Sequence, residues 1–444
     1  MNYELIKPLS LLLCLTFGSV MAQEAVTRDL RSCLEQGLQS NLNLQITRNR
    51  EEMAHENATW ANAGALPTLD ASAGYRAGVT NLDRTKNRAT GAVITTKGYA
   101  DHTLDAGLTL GWTIFDGFKI QTTHQQLLEL ERQGELATRM AVEDLMADIA
   151  SEYYNYLQQI IRLSNYNYAM QLSRERLRIA GINYQTGRFS GLDFHQAEVD
   201  FHSDSSAYVR QHEAVLTSNI RLNKLMGESA VSQRIELPSH DISVQSDLTL
   251  DDLWNSTLQA NASLLHASHD TRLAELDMKK VLARNYPYLR LNAGYSYTHN
   301  NYGAGSSRLR DNVGFNGGLT VGINLWDGNR RRERRNAQLS IENSKLQREQ
   351  LELELRASLT TFWEAYNNNL NLLELQRKNL QIAQDNLEIA MDRYKLGDLS
   401  GFDMRQIEKN LLDAEERVLQ AQYDAKICEI SLLLISGNIT SYLQ

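Results

Sequence analysis

Two long stretches of the chain carry apolar residues at helical spacing, and most steps are three, four or seven residues, as in a coiled-coil seam. The first series is Ile149, Tyr153, Tyr156, Ile160, Leu163, Met170, Leu177, Ala180 and Tyr184. The second is Leu359, Trp363, Tyr366, Leu370, Leu373, Leu380, Leu387, Ala390 and Tyr394, at a constant offset of 210 residues. The pattern predicts long helices over about 117–183 and 329–393. At 1.5 Å per residue each would be about 100 Å long.

Each long helix is preceded by two segments in which apolar and polar positions alternate, the pattern of a strand with one apolar face. A polar, charged loop that reaches about His102 is expected between the first two. A helix is expected before each pair of strands, and Pro67 and Pro287 lie where these helices end. The predicted strands are about 69–80, 104–115, 289–300 and 313–326, and the preceding helices are 30–64 and 250–285.

A short phrase that follows each long helix is also repeated at the same offset. The stretches 184–198 and 394–408 share Tyr, Gly, Ser, Gly, Asp, Gln and Glu in the same order. Glycine supplies the left-handed residue that ends a helix, and Ser or Asp caps the next one. The phrase therefore predicts the tips of two helical hairpins, at 184–193 and 394–403, with shorter returning helices over about 192–226 and 402–435.

These elements divide the chain into two repeats of helix, strand, strand, long helix and helix. The apolar run after Lys7 and the small residues before Gln23 are typical of a secretory signal peptide. The expected organisation is a signal peptide at 1–22, a first repeat at 23–227, a connector at 228–250, a second repeat at 251–437 and a tail at 438–444.

Composition narrows the classes of function. The net charge of −9 and pI near 5.7 give no reason to expect a nucleic-acid partner. After the leader no segment has the 18 or so apolar residues of a transmembrane helix. Two cysteines remain, Cys33 and Cys428, which either pair in an oxidising compartment or stay buried as free thiols. No catalytic set, cofactor loop or metal-ligand spacing is recognised, so no enzyme, cofactor or metal is predicted.

Four strands with one apolar face cannot close a barrel alone, and an open edge in lipid leaves unpaired backbone groups. Closure must therefore come from copies of the chain: two copies give eight strands and three give twelve. Eight strands leave an interior filled by side chains, whereas the Gly-, Thr- and Asn-rich inner faces favour an open lumen. Three copies are the better inference. A soluble sheet packed on the helices is the alternative, but it leaves the long seams without a partner of matching length.

The ordered repeats and the two tip phrases resemble the outer membrane efflux protein (TolC) family over about 27–437. The resemblance implies a mainly α-helical protein with a β-barrel portion: a homotrimer whose 12-stranded barrel in the Gram-negative outer membrane is continuous with a periplasmic α-helical coiled-coil barrel. It further implies a passive exit duct of a tripartite efflux or type I secretion system, which docks a periplasmic membrane-fusion (adaptor) protein and an inner-membrane transporter. A periplasmic coiled-coil adaptor or scaffold that never enters the membrane is the alternative.

The resemblance also nominates site residues at both ends of the long helices. Gly187, Ser190, Gly397 and Ser400 match the tip motif and would form the periplasmic tip and adaptor contact. Candidates for gating the aperture beside them are Tyr184, Arg188, Asp193, Tyr394, Asp398, Asp403 and Arg405. A basic cluster opens the second long helix and is expected to contact anionic outer-membrane lipid at the periplasmic boundary. Its members are Arg330, Arg331, Arg332, Arg334 and Arg335.

Overall fold

The computed structural model describes residues 26–239, 241–245, 247–305 and 307–443, so the expected signal peptide lies outside the described residues. Helices dominate, and the order of elements repeats. The first repeat contains β1 (Val26–Thr27), α1 (Leu30–Ser40), α2 (Leu42–Asn57), β2 (Thr68–Lys86), β3 (Val93–Asp116), α3 (Lys119–Gln185) and α4 (Gly191–Leu225). After β4 (Ile235–Glu236) in the connector come α5 (Leu250–Ala260), α6 (Ala262–Ala283), β5 (Tyr288–Asn301), β6 (Leu309–Gly322), α7 (Arg330–Leu396) and α8 (Gly401–Ile435). A short 3-10 helix, Ile439–Leu443, ends the described chain.

The long helices α3 and α7 each have 67 residues, and their partners α4 and α8 each have 35. Each long helix is therefore about 100 Å long, and the shorter helix folds back along its distal half. The helices α2 and α6 pack along the proximal half of α3. The duplication seen in the sequence is thus a duplication of structure, with both hairpin tips at the end remote from the strands.

The helix expected before each strand pair is interrupted at one residue. Asn41 separates α1 from α2, and Asn261 separates α5 from α6. Each asparagine has extended backbone and caps the following helix through its side-chain oxygen, at 3.1 Å for Asn41 and 3.0 Å for Asn261. Their amide groups donate to the carbonyls of Leu225 and Ile435, the last residues of α4 and α8. These contacts fix each bend against the end of α4 or α8.

The four long strands form one antiparallel sheet in the order β2-β3-β5-β6. The β2–β3 hairpin is longer than expected: the segment 93–103, predicted as part of a loop, continues β3. Pairing of β3 with β5 ends at His102 and Asn301, so residues 93–101 extend beyond the paired strands of the shorter hairpin. At about 3.4 Å per residue this overhang is about 30 Å.

The last strand is offset from its expected position. β6 covers Leu309–Gly322 rather than 313–326, and Gly322 pairs with Tyr288. The next residue on the partner side is Pro287, which has no N–H to donate, so the ladder ends there. Residues 323–326 keep an apolar alternation but have no strand to pair with in the described sheet.

The main core lies at mid-length of α3 and near the C-terminal ends of α4 and α8, where α1, the connector and the last described residues pack on them. A buried ion pair lies in this core. Lys426 donates to Glu429 at 2.7 Å, and Glu429 also accepts from Tyr442 at 2.9 Å. Cys33 belongs to this core, whereas Cys428 packs in a separate cluster near Tyr366. Both cysteines are free and buried.

Candidate functional site

The first tip is closed by two capping devices. Gly187 ends α3 with a left-handed φ of 75°, and the Arg188 amide donates to the carbonyl of Asn183 at 2.8 Å. Ser190 and Asp193 then form a reciprocal capping box on α4: the Asp193 amide donates to the Ser190 hydroxyl and the Ser190 amide donates to the Asp193 carboxylate. The carboxylate of Asp193, a gating candidate, is therefore already engaged in capping.

The second tip repeats this geometry. Gly397 has φ 85°, and the Asp398 amide donates to the carbonyl of Arg393 at 3.0 Å. Ser400 accepts from the Asp403 amide at 3.1 Å and donates to the Asp403 carboxylate at 2.7 Å. Both tips are thus capped turns, in which glycine ends one helix and Ser with Asp caps the next.

The remaining gating candidates differ in exposure between the two repeats. Tyr184 is 50% exposed, whereas Tyr394 is 1% exposed and lies beside Phe189 of the first tip. Arg188 and Asp398 are exposed, and neither side chain has an ion-pair partner within the described ranges. They are the tip charges free to meet another molecule.

Arg405 is held inside the chain rather than at the surface of the tip. It donates two hydrogen bonds of 2.7 Å to Asp204 on α4 and lies 3.7 Å from Glu408 on its own helix. Arg176 on α3, only 2% exposed, lies 2.9 Å from Asp200 and 3.4 Å from Glu408. We call these five residues, Arg176, Asp200, Asp204, Arg405 and Glu408, the tip cluster.

The tip cluster contains three acids and two bases in a largely buried site. Neither Glu408 oxygen accepts a hydrogen bond in the described part of the chain. Burial raises the pKa of Glu408 to about 7, and Arg176 and Arg405 only partly oppose this effect. With Glu408 protonated, the two arginines face two carboxylates and the cluster is electrically balanced.

The sequence nominated only Arg405 from this cluster. Asp204 and Asp200 lie about two hundred residues away in the chain and read as ordinary polar positions of an amphipathic helix. The residue that could have revealed the cluster from the sequence is Arg176. It is a charged residue between Ser173 and Ile179, on the face of α3 that is buried. Buried arginines need partners, so such a position indicates an ionic contact with another helix.

At the other end of the long helices, the basic cluster divides into two parts. Arg330 donates to the backbone carbonyls of Asn324 and Arg284 and thus serves the strand–helix junction. Glu333, the acid within the cluster, is bound by Arg284. The other members, Arg331, Arg332, Arg334 and Arg335, are exposed and have no ion-pair partner among the described side chains.

Aromatic residues and an apolar surface surround this junction. Phe118 makes edge contacts with Phe115 and Tyr286, and Trp326 is 84% exposed. Along the strands, large apolar side chains of one sheet face are exposed: Leu69, Tyr75, Leu108, Tyr295, Phe315, Leu319 and Val321. An exposed apolar sheet face bordered by aromatic residues is typical of strands that meet lipid.

A membrane-spanning helix and a metal site are two further features that bear on function. In the described ranges, no helix has the length and apolar character needed to cross a membrane. No group of three or more His, Cys, Asp or Glu side chains among the described residues is placed to hold a metal ion. The described residues present capped turns, ion pairs and an exposed apolar sheet face.

Comparison with known proteins gives one family and several structures. A family model described as outer membrane efflux protein matches residues 33–228 and 253–438. The chain is 21% identical to the outer membrane efflux protein BepC of Brucella suis biovar 1, over 96% of this chain and 89% of BepC. It resembles the outer membrane channel CmeC of Campylobacter jejuni, with a TM-score of 0.76, 16% identity and coverage of 92% and 85% of the two chains. It also resembles the open state of the MtrE outer membrane channel of Neisseria gonorrhoeae, with a TM-score of 0.70, 16% identity and coverage of 94% and 90%.

Proposed function

This chain belongs to the outer membrane efflux protein family, and from that membership we propose that three copies form one passive exit duct across the outer membrane and the periplasm. The observation that carries the proposal is the four-stranded sheet. It exposes an apolar face, and its edge strands β2 and β6 have no partner among the described strands. In lipid such edges require partners, and three copies would supply twelve strands in a closed ring.

The outer surface of α7 supports assembly with other copies. Leu375, Ile382, Ile389 and Leu396 recur every seven residues, and each is more than half exposed. A heptad stripe of this kind is unstable in water unless another helix covers it. In the proposed trimer, six helical hairpins would close the tunnel and bury these stripes between copies.

The proposed partners follow from the position of the tips. The strands lie in the outer membrane, so the tips face the cell interior about 100 Å away. We place the contact with a periplasmic adaptor protein at Gly187, Ser190, Gly397 and Ser400, and an inner-membrane transporter behind it. Transport energy would come from that transporter, and the duct itself would carry out no catalysis.

The gating candidates take different roles in this proposal. Arg188 and Asp398 are exposed and unpaired, so they are available to neighbouring copies or to the adaptor. Asp193 and Asp403 would keep the tips rigid through their caps. Tyr394 and Arg405 would hold the two hairpins of one chain together, whereas Tyr184 would face the next copy.

The decisive experiment is purification of the full-length protein from outer membranes in detergent, with measurement of its mass and of its conductance in planar bilayers. A trimer that forms ion-conducting pores is expected. Release of the protein by osmotic shock without detergent would contradict the duct and favour the alternative, a periplasmic adaptor or scaffold. The exposed apolar sheet argues against that alternative, since a soluble scaffold would have to cover it.

A further inference from the structure

The register of the strands shows which side chains share a face of the sheet. Residues that pair directly in neighbouring strands lie on the same face, and side chains alternate between the faces along each strand. Leu108 pairs with Tyr295, which pairs with Phe315, so these exposed apolar side chains lie on one face. We call it the outer face, because it would meet lipid in the proposed duct. The inner face carries small and polar residues, such as the paired Ser296 and Gly314.

Charges on the inner face compensate one another in the part of the sheet nearer the helices. Arg76 of β2 donates to Asp105 of β3 at 3.0 Å. Asp70 and Arg290, which lie closer still to the helices, add one charge of each sign. Asp116, at the end of β3, accepts a hydrogen bond from the first turn of α3. In the described strands this part of the proposed lumen therefore has little net charge.

From the level of Arg76 to the free end of the sheet, the inner face is cationic. The lysines and arginines on this part of the face are Arg84, Lys86, Lys97 and Arg310. All four side chains are exposed, and none has an ion-pair partner among the described residues. One acid of the described strands, Asp101, lies on the same part of the face, and it accepts a hydrogen bond of 3.0 Å from the Gly303 amide. The cations thus outnumber the acid four to one.

The three cations of the overhang share a face because the pairing of β2 with β3 keeps one register. Lys97 pairs with Leu82, and the same register holds on both sides of that pair. No residue of β2 has a positive φ, so its side chains alternate regularly from Arg76 to Lys86. Arg84, Lys86 and Lys97 therefore lie on the face of Arg76, which is the inner face.

The outer face at the same height has the opposite charge. Asp83 of β2 and Asp311 of β6 lie on it, whereas no lysine or arginine of the described strands does. The neighbours Asp83 and Arg84 thus direct an acid outward and a base inward. An anionic partner outside the barrel would meet the acids first. The cations are placed instead for anions that pass through the mouth of the duct.

We propose that the outer mouth of the duct is a cationic vestibule that favours the passage of anionic solutes. The inference rests on the proposed trimer and adds the charge class that its exit prefers. Four cations and one acid per chain would place twelve cations and three acids around the mouth, a local charge of +9 in a protein whose chains each carry −9. Charges of one sign around an entrance concentrate counter-ions there, and rings of charged side chains set the selectivity of pores.

The test is the ion selectivity of the purified full-length protein in planar bilayers under a gradient of potassium chloride. The reversal potential gives the ratio of chloride to potassium permeability. Replacing Arg84, Lys86 and Lys97 together by Gln should lower this ratio by about twofold or more in about 0.01 M salt, where the Debye length is about 30 Å. The difference should vanish in about 1 M salt, where that length is about 3 Å.

A face-swapped variant tests the position of the cations at constant composition. Thr85→Lys with Lys86→Thr, and Thr96→Lys with Lys97→Thr, keep the net charge but move two cations to the outer face. The ratio should fall as far as it does in the variant Lys86→Gln with Lys97→Gln.

A second control removes charge elsewhere in the chain. Arg48→Gln, Arg50→Gln and Lys279→Gln together delete three exposed cations of α2 and α6, which lie outside the sheet. This variant has the same net charge as the triple Gln variant of the mouth, and its permeability ratio should equal that of the wild type.

The outcomes separate this inference from the proposed function. Equal ratios in the wild type and in the triple Gln variant of the mouth, both as conducting trimers, would overturn the vestibule and leave the duct. A face-swapped variant that keeps the wild-type ratio, or an equal fall in the control on α2 and α6, would overturn it as well. A wild-type protein that is monomeric or makes no pore would instead overturn the proposed duct.

Discussion

Arg405 donates two hydrogen bonds of 2.7 Å to Asp204, although 201 residues separate them in the chain. The contact joins the returning helix of one repeat to that of the other. Because the pair is largely buried, each member depends on the other for compensation of its charge. The two helical hairpins of one chain are thus connected by an ion pair in addition to apolar packing.

Replacing Arg405 by Gln should therefore destabilise the tip region. Asp204 would be left without its cation and Glu408 would keep only Arg176, and breaking a buried pair such as Arg405 with Asp204 costs about 3 kcal/mol. The expected result is a clear fall in the thermal unfolding midpoint of the detergent-solubilised protein. Arg188→Gln is the matched control, since Arg188 is exposed and unpaired and its loss should change the free energy of unfolding by less than about 0.5 kcal/mol. Equal effects of the two variants would contradict this role of Arg405.

Glu408 should make stability depend on pH. Its pKa in the folded protein is raised to about 7 from 4.5, so the folded state favours the protonated form. The corresponding stabilisation is complete below pH 4.5 and is lost as pH rises through 7. For one group the slope is at most about 1.4 kcal/mol per pH unit.

Glu408→Gln is the direct test of this dependence. Glutamine mimics the protonated acid at every pH, so the variant should match the wild type near pH 5 and exceed its stability near pH 8. Unfolding midpoints measured across this range would show it. A constant difference between the two proteins at all pH values would mean that Glu408 does not titrate in this interval.

The left-handed glycines of the tips give a backbone prediction. Gly397 has φ 85° and no atom within 4 Å of the place where a Cβ would lie, so only backbone strain opposes a side chain. Gly397→Ala should therefore destabilise the tip by about 1–2 kcal/mol, and Gly397→Asn by less, because asparagine tolerates this conformation. Gly78→Ala is a suitable control, since it also has free space but no positive φ. Thermal unfolding of the three variants is the measurement, and equal loss from Ala at both positions would exclude strain as the cause.

The two cysteines should be unreactive in the folded protein. Cys33 has no exposed surface, and burial raises its pKa to about 12, so the reactive thiolate is scarce. Maleimide labelling followed by mass measurement should find neither Cys33 nor Cys428 modified until denaturant is added. Ser190→Cys at the exposed tip is the positive control. A mass that shows a missing pair of hydrogens would instead indicate a disulfide.

The exposed part of the basic cluster should bind anionic lipid. The test variant replaces the four arginines that have no ion-pair partner among the described residues, Arg331, Arg332, Arg334 and Arg335, by Gln. Each arginine near an anionic membrane surface contributes about 1 kcal/mol of binding free energy. Retention of phosphatidylglycerol by the purified protein should fall, while retention of phosphatidylcholine should not. Arg330→Gln is the control, because its side chain serves backbone carbonyls and not the solvent. Unchanged retention of both lipids in the fourfold variant would remove the lipid role.

The sequence predicts most of what depends on local periodicity. The long helices expected at 117–183 and 329–393 are found at 119–185 and 330–396, because seven-residue repeats continue without interruption between clear stop signals. The tip turns likewise follow from glycine and from the Ser-to-Asp spacing of the caps. The family resemblance drawn from the same repeats is confirmed.

The features that the sequence does not predict depend on contacts with distant parts of the chain. Residues 93–103 are strand, although polar residues lie on both faces, since β2 pairs with each of them except Gly98. The bends at Asn41 and Asn261 are not predicted because the apolar spacing continues through both positions. Each asparagine is held by a hydrogen bond to a carbonyl at the end of another helix, which the sequence pattern does not reveal. The partner of Arg405 is equally invisible, since Asp204 resembles any polar residue on a helix surface.

The β2–β3 hairpin is longer than the β5–β6 hairpin, and this difference has a consequence for the outer face of the proposed trimer. Around a ring of three chains, tall and short hairpins would alternate, so the rim would carry three projecting prongs. Each prong holds Arg84, Lys86, Arg88 and Lys97 against the two acids Asp83 and Asp101. In the proposed trimer, an antibody or phage approaching the cell would meet these three positively charged projections before it reached the wall of the barrel. In the proposed trimer, the part that other organisms would encounter first is thus the β2–β3 hairpin, whose extension has no equivalent in the β5–β6 hairpin of the second repeat.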